Sequence, residues 1–411
     1  MNKYPITSFY FLFVFLFSCN NSGKINDVDN SNSDSIRVDV SDIAESIEYS
    51  KIFAKIEYIP LETSPNCIIG GIDKMIRHEN RFFILDQQTL SLFIFDAEGK
   101  FLNKISQFGK GPQEYASLSD FFLDIDHNRI ILNCGTKFLY FDMNTCTFIK
   151  EERKAKNSQS AYLGNETFAY YSRNSTWNGK YNISAYRQGK EIYRHLPISE
   201  KMAGFTFEKE YSFFQPDREG NVLFATMLDN VVYKLNPDSM AVAYHIDFGK
   251  NGLPENFLDD VPHDERIERL FKSSYCRSVD NFIKNDYLTF FNFTYKERVN
   301  TYLNLHERKE KFIFQNDIND MTFIGDISPF LYCDDVSIYS WMQMVDFKEE
   351  YPIIKENENL LDAFEKEAEN VQYKEKIDDY RKTLLTIKEQ LKAIAERSDE
   401  DNPVMIRFYY R

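Results

Sequence analysis

Arg81-Phe82-Phe83-Ile84-Leu85-Asp86, then Leu90-Ser91-Leu92-Phe93-Ile94-Phe95-Asp96, the turn Ala97-Glu98-Gly99-Lys100 and the run Phe101 to Ile105 form the phrase that decides the fold. It reads as strand, turn, strand, turn, strand. The first two runs are apolar on consecutive residues. Strands covered on both faces look like this, whereas strands with one wet face alternate. The phrase returns as Arg129-Ile130-Ile131-Leu132 with Phe138-Leu139-Tyr140-Phe141-Asp142, and as Thr167 to Tyr171 with Tyr181 to Tyr186. It returns again as Asn221 to Ala225 with Asn230 to Leu235, and as Tyr287 to Phe293 with Val299 to Leu305. A shorter version, Val336 to Trp341, lies in a partial sixth copy from Met321 to Val345. The period is roughly 40–60 residues, the range of propellers and other repeat arrays.

In a propeller each blade is a four-stranded sheet between two neighbours, so its inner strands lose both faces to protein. A β-sandwich would give more evenly spaced strands with one polar face, and the pattern favours the propeller. The missing strands of the sixth repeat come from the chain ends. Ile56-Glu57-Tyr58-Ile59-Pro60-Leu61 is an early strand, and Asn402-Pro403-Val404-Met405-Ile406-Arg407-Phe408-Tyr409-Tyr410 is a final one. Joining them in one blade closes the ring and removes free edges. The expected fold is therefore all-β, a six-bladed β-propeller over residues 37–411, closed by N- and C-terminal strands.

Two stretches read as helical insertions. Residues 254–274 carry Phe257, Val261, Ile267, Leu270 and Phe271 among charges. Residues 359–397, before the last strand, place Leu361, Phe364, Ala368 and Val371, then Ile377, Tyr380, Leu384, Ile387, Leu391 and Ile394 at steps of three and four. Such a stripe packs a helix on its parent domain or docks a partner helix.

Composition agrees with strands: 37 Phe and 26 Tyr stand against 15 Gly. The formal net charge of −15 repels phosphate backbones and no basic cluster opposes it, so nucleic acid is excluded as a partner.

The N-terminus carries an address. Lys3 supplies a basic residue, Phe9 to Phe17 is apolar or aromatic, and Ser18 precedes Cys19. A spanning helix needs roughly 20 apolar residues, so the run fits a signal peptide over residues 1–18. Leu16-Phe17-Ser18-Cys19 resembles the lipobox of bacterial lipoproteins, which implies a lipid on Cys19 and a membrane as partner. Residues 19–36, rich in Asn, Ser and Asp, read as a flexible tether with order beginning near Ile36 to Val40.

Candidate sites are sparse. Gly109-Lys110-Gly111-Pro112-Gln113-Glu114-Tyr115 is no P-loop, because Pro112 removes a backbone donor and no helix pattern follows. It reads as a structural turn built on Gly109, Gly111 and Pro112, with Glu114 and Tyr115 either satisfying exposed backbone or reaching a ligand at the propeller face. Asp124-Ile125-Asp126-His127-Asn128 begins like a calcium loop but has Arg129 and Gly135 where Gly and Glu belong, so a turn is expected. The histidines 78, 127, 195, 245, 263 and 306 form no local metal motif, although separate blades can assemble a metal site around an axis. No Gly-x-Ser-x-Gly elbow is present, and no catalytic residue is assigned. Trp177 and Trp341 read as blade packing or as sugar-stacking surfaces. Cys134 and Cys146 are placed to face each other across a hairpin or to remain free thiols. No cofactor is expected, and nothing indicates a bound metal ion.

Tyr58-Ile59-Pro60-Leu61-Glu62-Thr63, Phe95-Asp96-x-x-Gly99-Lys100-Phe101, Gly-x-Gly-Pro-x-Glu-Tyr at 109–115 and Asp401-Asn402-Pro403-Val404 together resemble a family of six-bladed β-propeller lipoproteins of bacteria, similar in architecture to NHL-repeat propellers. The resemblance spans the chain after the tether, with blade boundaries looser after Leu196. It implies the fold and a lipid-anchored place in the cell envelope, on the periplasmic side of the outer membrane, and carries no reaction. The expected function is a non-enzymatic recognition module for an envelope protein, peptide or glycan; the alternative is a propeller hydrolase or lyase, with or without a metal, at the central tunnel.

Overall fold

The computed structural model describes residues 33–200, 202–205, 214–217, 220–226, 229–327, 330–352 and 387–411. The chain first lays down three strands at the rim, β1 (Asp34–Arg37), β2 (Ala44–Glu48) and β3 (Phe53–Pro60). Blade 1 follows as β4 (Lys74–His78), β5 (Arg81–Asp86), β6 (Ser91–Asp96) and β7 (Phe101–Ile105). Blade 2 is β8 (Asp120–Asp124), β9 (Arg129–Cys134), β10 (Lys137–Asp142) and β11 (Phe148–Arg153). Blade 3 is β12 (Gln159–Tyr162), β13 (Thr167–Tyr171), β14 (Tyr181–Arg187) and β15 (Lys190–Pro197). Blade 4 is β16 (Phe214–Pro216), β17 (Val222–Ala225), β18 (Val231–Leu235) and β19 (Met240–Asp247). A short helix, α1 (Arg266–Phe271), precedes blade 5, which is β20 (Arg277–Lys284), β21 (Leu288–Tyr295), β22 (Arg298–Leu305) and β23 (Glu310–Ile318).

Blade 6 closes the ring. It begins with β24 (Tyr332–Cys333) and β25 (Ser337–Met342), passes through α2 (Met344–Glu350) and α3 (residues 387–395), and ends with β26 (Val404–Tyr410). Its strand order is β24-β25-β26-β3, so the N-terminal strand is outermost and pairs antiparallel with the C-terminal one, Val404 opposite Pro60. Six sheets result, as the repeats predict.

Burial explains the pattern that identified the strands. Phe82, Phe83, Ile84 and Leu85 on β5 are all buried, because neighbouring blades cover both faces. Outermost β11 alternates half-buried and exposed residues, since only one face is covered. Blades join through aromatic pairs: Phe138 stacks on Phe168 at 4.0 Å between blades 2 and 3, and Tyr171 meets Phe224 edge-on at 4.9 Å between blades 3 and 4. Each such pair adds ~0.5–1.5 kcal/mol beyond its area.

Three features depart from the sequence reading. β1 begins at Asp34, inside the 19–36 stretch read as tether, because its backbone pairs in parallel with the open edge of β19, Asp34 opposite Tyr244. β2 likewise caps β23, so the N-terminal segment covers the rims of blades 4 and 5 before entering blade 6. Residues 254–274 are mostly turns, with helix only at α1: Pro254 and Pro262 interrupt it, and of the proposed apolar stripe Ile267 and Phe271 are exposed while Leu270 is buried. In the 359–397 insertion, α3 buries Ile387, Leu391 and Ile394 against Tyr58, Met344 and Phe347 of the propeller core. The earlier part of that stripe, like Cys19 and the signal peptide, lies outside the described residues. Among those described, no helix is long and apolar enough to cross a membrane.

Candidate functional site

Antiparallel order puts the start of each innermost strand, the end of the second, the start of the third and the end of the outermost on one face. The 61–73 and 106–119 connections, α1, and the insertion with α2 and α3 all emerge there. So does the β13–β14 loop carrying Trp177, which is 97% exposed. Ile68, Phe108, Ile267, Phe271 and Val345 are also exposed on this loop-bearing face, whereas the turns of the opposite face expose only Ile125 and Val336 among the described large apolar residues. Exposed apolar side chains are thus more numerous on the loops of this face than on the turns of the other.

Near the axis on the same side, innermost strands supply polar groups. Lys74, at the start of β4, donates to Asp120 Oδ1 at 2.6 Å and to the Phe121 carbonyl at 2.9 Å, tying blade 1 to blade 2. Lys154 donates to Asn133 Oδ1 at 2.9 Å, and Asn133 Nδ2 donates to Ser160 Oγ at 3.2 Å, tying blade 2 to blade 3. Burial holds the Lys154 ammonium below the usual lysine range, with Asp120 opposing that shift. Beside it Ser158 Oγ and Gln159 Oε1 are buried without hydrogen-bond partners. The cluster joins blades 2 and 3 from within, and it holds no nucleophile paired with a base.

The Gly109–Tyr115 loop lies on this face, but its two proposed ligand residues serve the loop itself. Tyr115 is 2% exposed, in the core between blades 1 and 2. Its hydroxyl donates to the Leu90 carbonyl at 2.9 Å, and burial pushes its pKa up to about 12. A ligand on the surface does not reach it, and of the two roles the sequence offered, Tyr115 fills that of satisfying backbone. Glu114 is exposed, and its Oε2 accepts the Gly111 N–H at 2.8 Å. A Cβ at Gly109 would stand 1.9 Å from that oxygen, so a larger residue there would displace the Glu114 carboxylate from the Gly111 N–H. Pro112 is an exposed turn residue.

The remaining candidates separate. Asp124 and His127 meet at 2.9 Å within one turn on the opposite face. Among the described residues no three His, Cys, Asp or Glu side chains gather to hold a metal ion. Cys134 and Cys146 lie beyond opposite ends of β10 and are free thiols. Trp341 packs against the blade 1–blade 6 core, with its Nε1 buried and unpartnered.

Three of the four motifs that carried the family resemblance, those at 58–63, 95–101 and 401–404, converge at the closure seam. Arg397 donates to the Leu61 carbonyl at 2.7 Å, and Leu61 N donates to the Pro403 carbonyl at 3.2 Å. Glu62 N donates to the Gly99 carbonyl at 2.8 Å, and Glu62 Oε2 accepts from Phe101 N at 3.0 Å. Gly99 has φ +83°, and a Cβ there would stand 2.7 Å from the Pro60 carbonyl oxygen. Asn402, 1% exposed, sits at the centre of this clasp. Sequence reading placed it in a strand and missed its role; its partners are distant in sequence, and only the shared family motif hints at them.

Closed ring, velcro blade and loop-bearing face define a six-bladed β-propeller. The sequence from 27 to 409 matches the domain of unknown function DUF4934, and the chain belongs to that family. No functionally curated protein matches it. Among solved structures it is similar to a Bacteroides fragilis NCTC 9343 protein described as exported, with 17% identity, a TM-score of 0.63, and coverage of 92% of this chain and 98% of that one. Weaker likenesses are a DUF4221 family member from Bacteroides vulgatus ATCC 8482 (10% identity, TM-score 0.43, 72% and 92% covered) and BamB from Moraxella catarrhalis (9%, 0.31, 64% and 67%).

Proposed function

We propose that the protein is a recognition module of the bacterial cell envelope, lipid-anchored through Cys19 on the periplasmic side of the outer membrane. It binds a protein, peptide or glycan on its loop-bearing face without chemical turnover. The observation that carries this reading is the number of exposed apolar side chains, among them Phe108, Trp177, Ile267 and Phe271, on loops and the short helix of one face. Exposed aromatic groups of this kind suit a ligand with apolar surface. The lipobox-like Leu16 to Cys19 supports the address.

The test is array binding of the chain from residue 20 onward to glycans and peptides, repeated with F108A and W177A. Both side chains are exposed, so the variants keep the wild-type melting temperature. The expected result is a ligand class lost by at least one of them. Turnover of a bound ligand, or silence across both arrays, would overturn the reading.

A further inference from the structure

On the opposite side of the ring a cleft of about 520 Å³ opens between blade 4, extended by β1, and blade 5. That volume lies within the roughly 300–1,000 Å³ of small-ligand sites. Asp34, on β1, contributes a carboxylate from one wall. Lys284, the last residue of β20, contributes an ammonium from the other. Both line the cleft, and among the described residues neither the carboxylate nor the ammonium makes an ion pair or a hydrogen bond; the Lys284 ammonium rests over the Tyr244 ring at 4.5 Å. The two opposite charges therefore line one cleft without neutralising each other, which leaves each able to meet a charged group of a ligand.

Between the charges the lining is polar and ordered. His306 Nδ1 donates to the Asp286 carbonyl at 3.0 Å, which leaves Nε2 to accept the Thr289 hydroxyl proton at 2.9 Å. Thr289 is 3% exposed, and this bond fixes its oxygen with lone pairs unused. Tyr302 is held by stacking on Phe291 at 4.6 Å, and its hydroxyl has no hydrogen-bond partner. The Asn304 side-chain amide, on the same strand, likewise has none. The cleft thus offers a fixed hydroxyl, a phenol and an amide beside the Lys284 ammonium and the Asp34 carboxylate, with Asp286 also in its lining.

We propose that this cleft binds a short peptide with both termini free, its carboxylate on Lys284, its ammonium on Asp34 and its amides on Tyr302, Thr289 and Asn304. A neutral sugar would leave both charges uncompensated; a free amino acid is too small for the volume. The site is independent of the loop-bearing face. Because β1 forms one wall, an occupant also staples the N-terminal segment to blade 5.

The test is calorimetric titration of the chain from residue 20 onward with trialanine, with N-acetyl-trialanine-amide and a neutral disaccharide as controls. Binding by trialanine is expected to weaken at least tenfold in K284Q and in D34N, with unchanged melting temperature, and to be absent for both controls. Bound trialanine is expected to slow amide hydrogen exchange at 34–37. F108A and W177A should leave this binding intact, which separates its failure from that of the proposed function. No trialanine binding at millimolar concentration, equal binding of the capped peptide, preference for the disaccharide, or indifference to K284Q would each overturn the proposal.

Discussion

Asn402 Oδ1 accepts the backbone N–H of Ile69 at 2.8 Å, across 333 residues of sequence, and so fastens the C-terminal strand of the closing blade to the loop that enters blade 1. The same side chain donates from Nδ2 to the carbonyls of Glu62 at 2.6 Å and Cys67 at 2.9 Å. One buried amide thus satisfies three backbone groups that would otherwise be desolvated and unpaired.

Replacing Asn402 by alanine is expected to destabilise the protein by about 2–4 kcal/mol, since each orphaned buried group costs about 1–3 kcal/mol. Asn402→Asp should rescue nothing, because it sets a carboxylate oxygen against two carbonyls. Chemical denaturation of both variants checks this; a stable N402D would show that the donor side of the amide is unimportant.

At the Gly109 loop the expected signature is coupling. Glu114 is exposed and its carboxylate can swing away from an added methyl group, so G109A should cost only the lost Gly111 hydrogen bond and backbone preference, about 1 kcal/mol. The double variant G109A/E114A should then be scarcely less stable than either single one. Additive losses in a double-mutant cycle would place the strain elsewhere.

Leu391 on α3 is fully buried against the propeller core, and Gln390 Nε2 donates to the Tyr58 carbonyl at 2.7 Å. L391A should cost about 2–5 kcal/mol, as a core truncation does. A loss below 0.5 kcal/mol would mean that the helix is not integral to the folded body.

Alkaline pH should unfold the protein progressively. Burial raises the thiols of Cys67 to about 11 and of Cys134 and Cys276 to about 12, above the roughly 8.5 of an unfolded thiol. Below that unfolded value the thiols are protonated in both states and their stabilisation is complete. Above it the unfolded chain ionises first and binds fewer protons, so stability falls as pH rises towards the folded values, by up to ~1.4 kcal/mol per thiol per pH unit. Denaturation midpoints in reductant at pH 7, 9 and 10 should decline in that order, and less steeply for C276A.

The lipid anchor predicts that C19A abolishes labelling by a radiolabelled fatty acid and moves the protein from the membrane to the soluble fraction. Undiminished labelling of C19A would place the lipid elsewhere or refute the anchor.

The repeats were legible because a blade imposes its burial on consecutive residues. Arg81–Asp86, Phe101–Ile105 and Thr167–Tyr171 were bounded correctly from apolar runs and turn residues alone. The closing blade was legible too, since unpaired strand signals remained at both chain ends. The insertion before α1 was misread, because helical spacing survives in a segment whose prolines enforce turns. Tyr115 was left open between two roles for a related reason: an aromatic beside a glycine-rich turn looks alike in sequence whether it faces solvent or core.

Sequence by itself determined the repeat, the blade count and the signal-like N-terminus, because each depends on local order along the chain, and its acidic character, because that is a sum over residues. The tertiary structure alone decided that β1 and β2 cap the rims of blades 4 and 5, that Asn402 is the centre of the closure clasp, and that Asp34 and Lys284 face one cleft. These are meetings of residues hundreds of positions apart, fixed when the ring closes. Local periodicity carries no information about which distant backbone group a side chain will find.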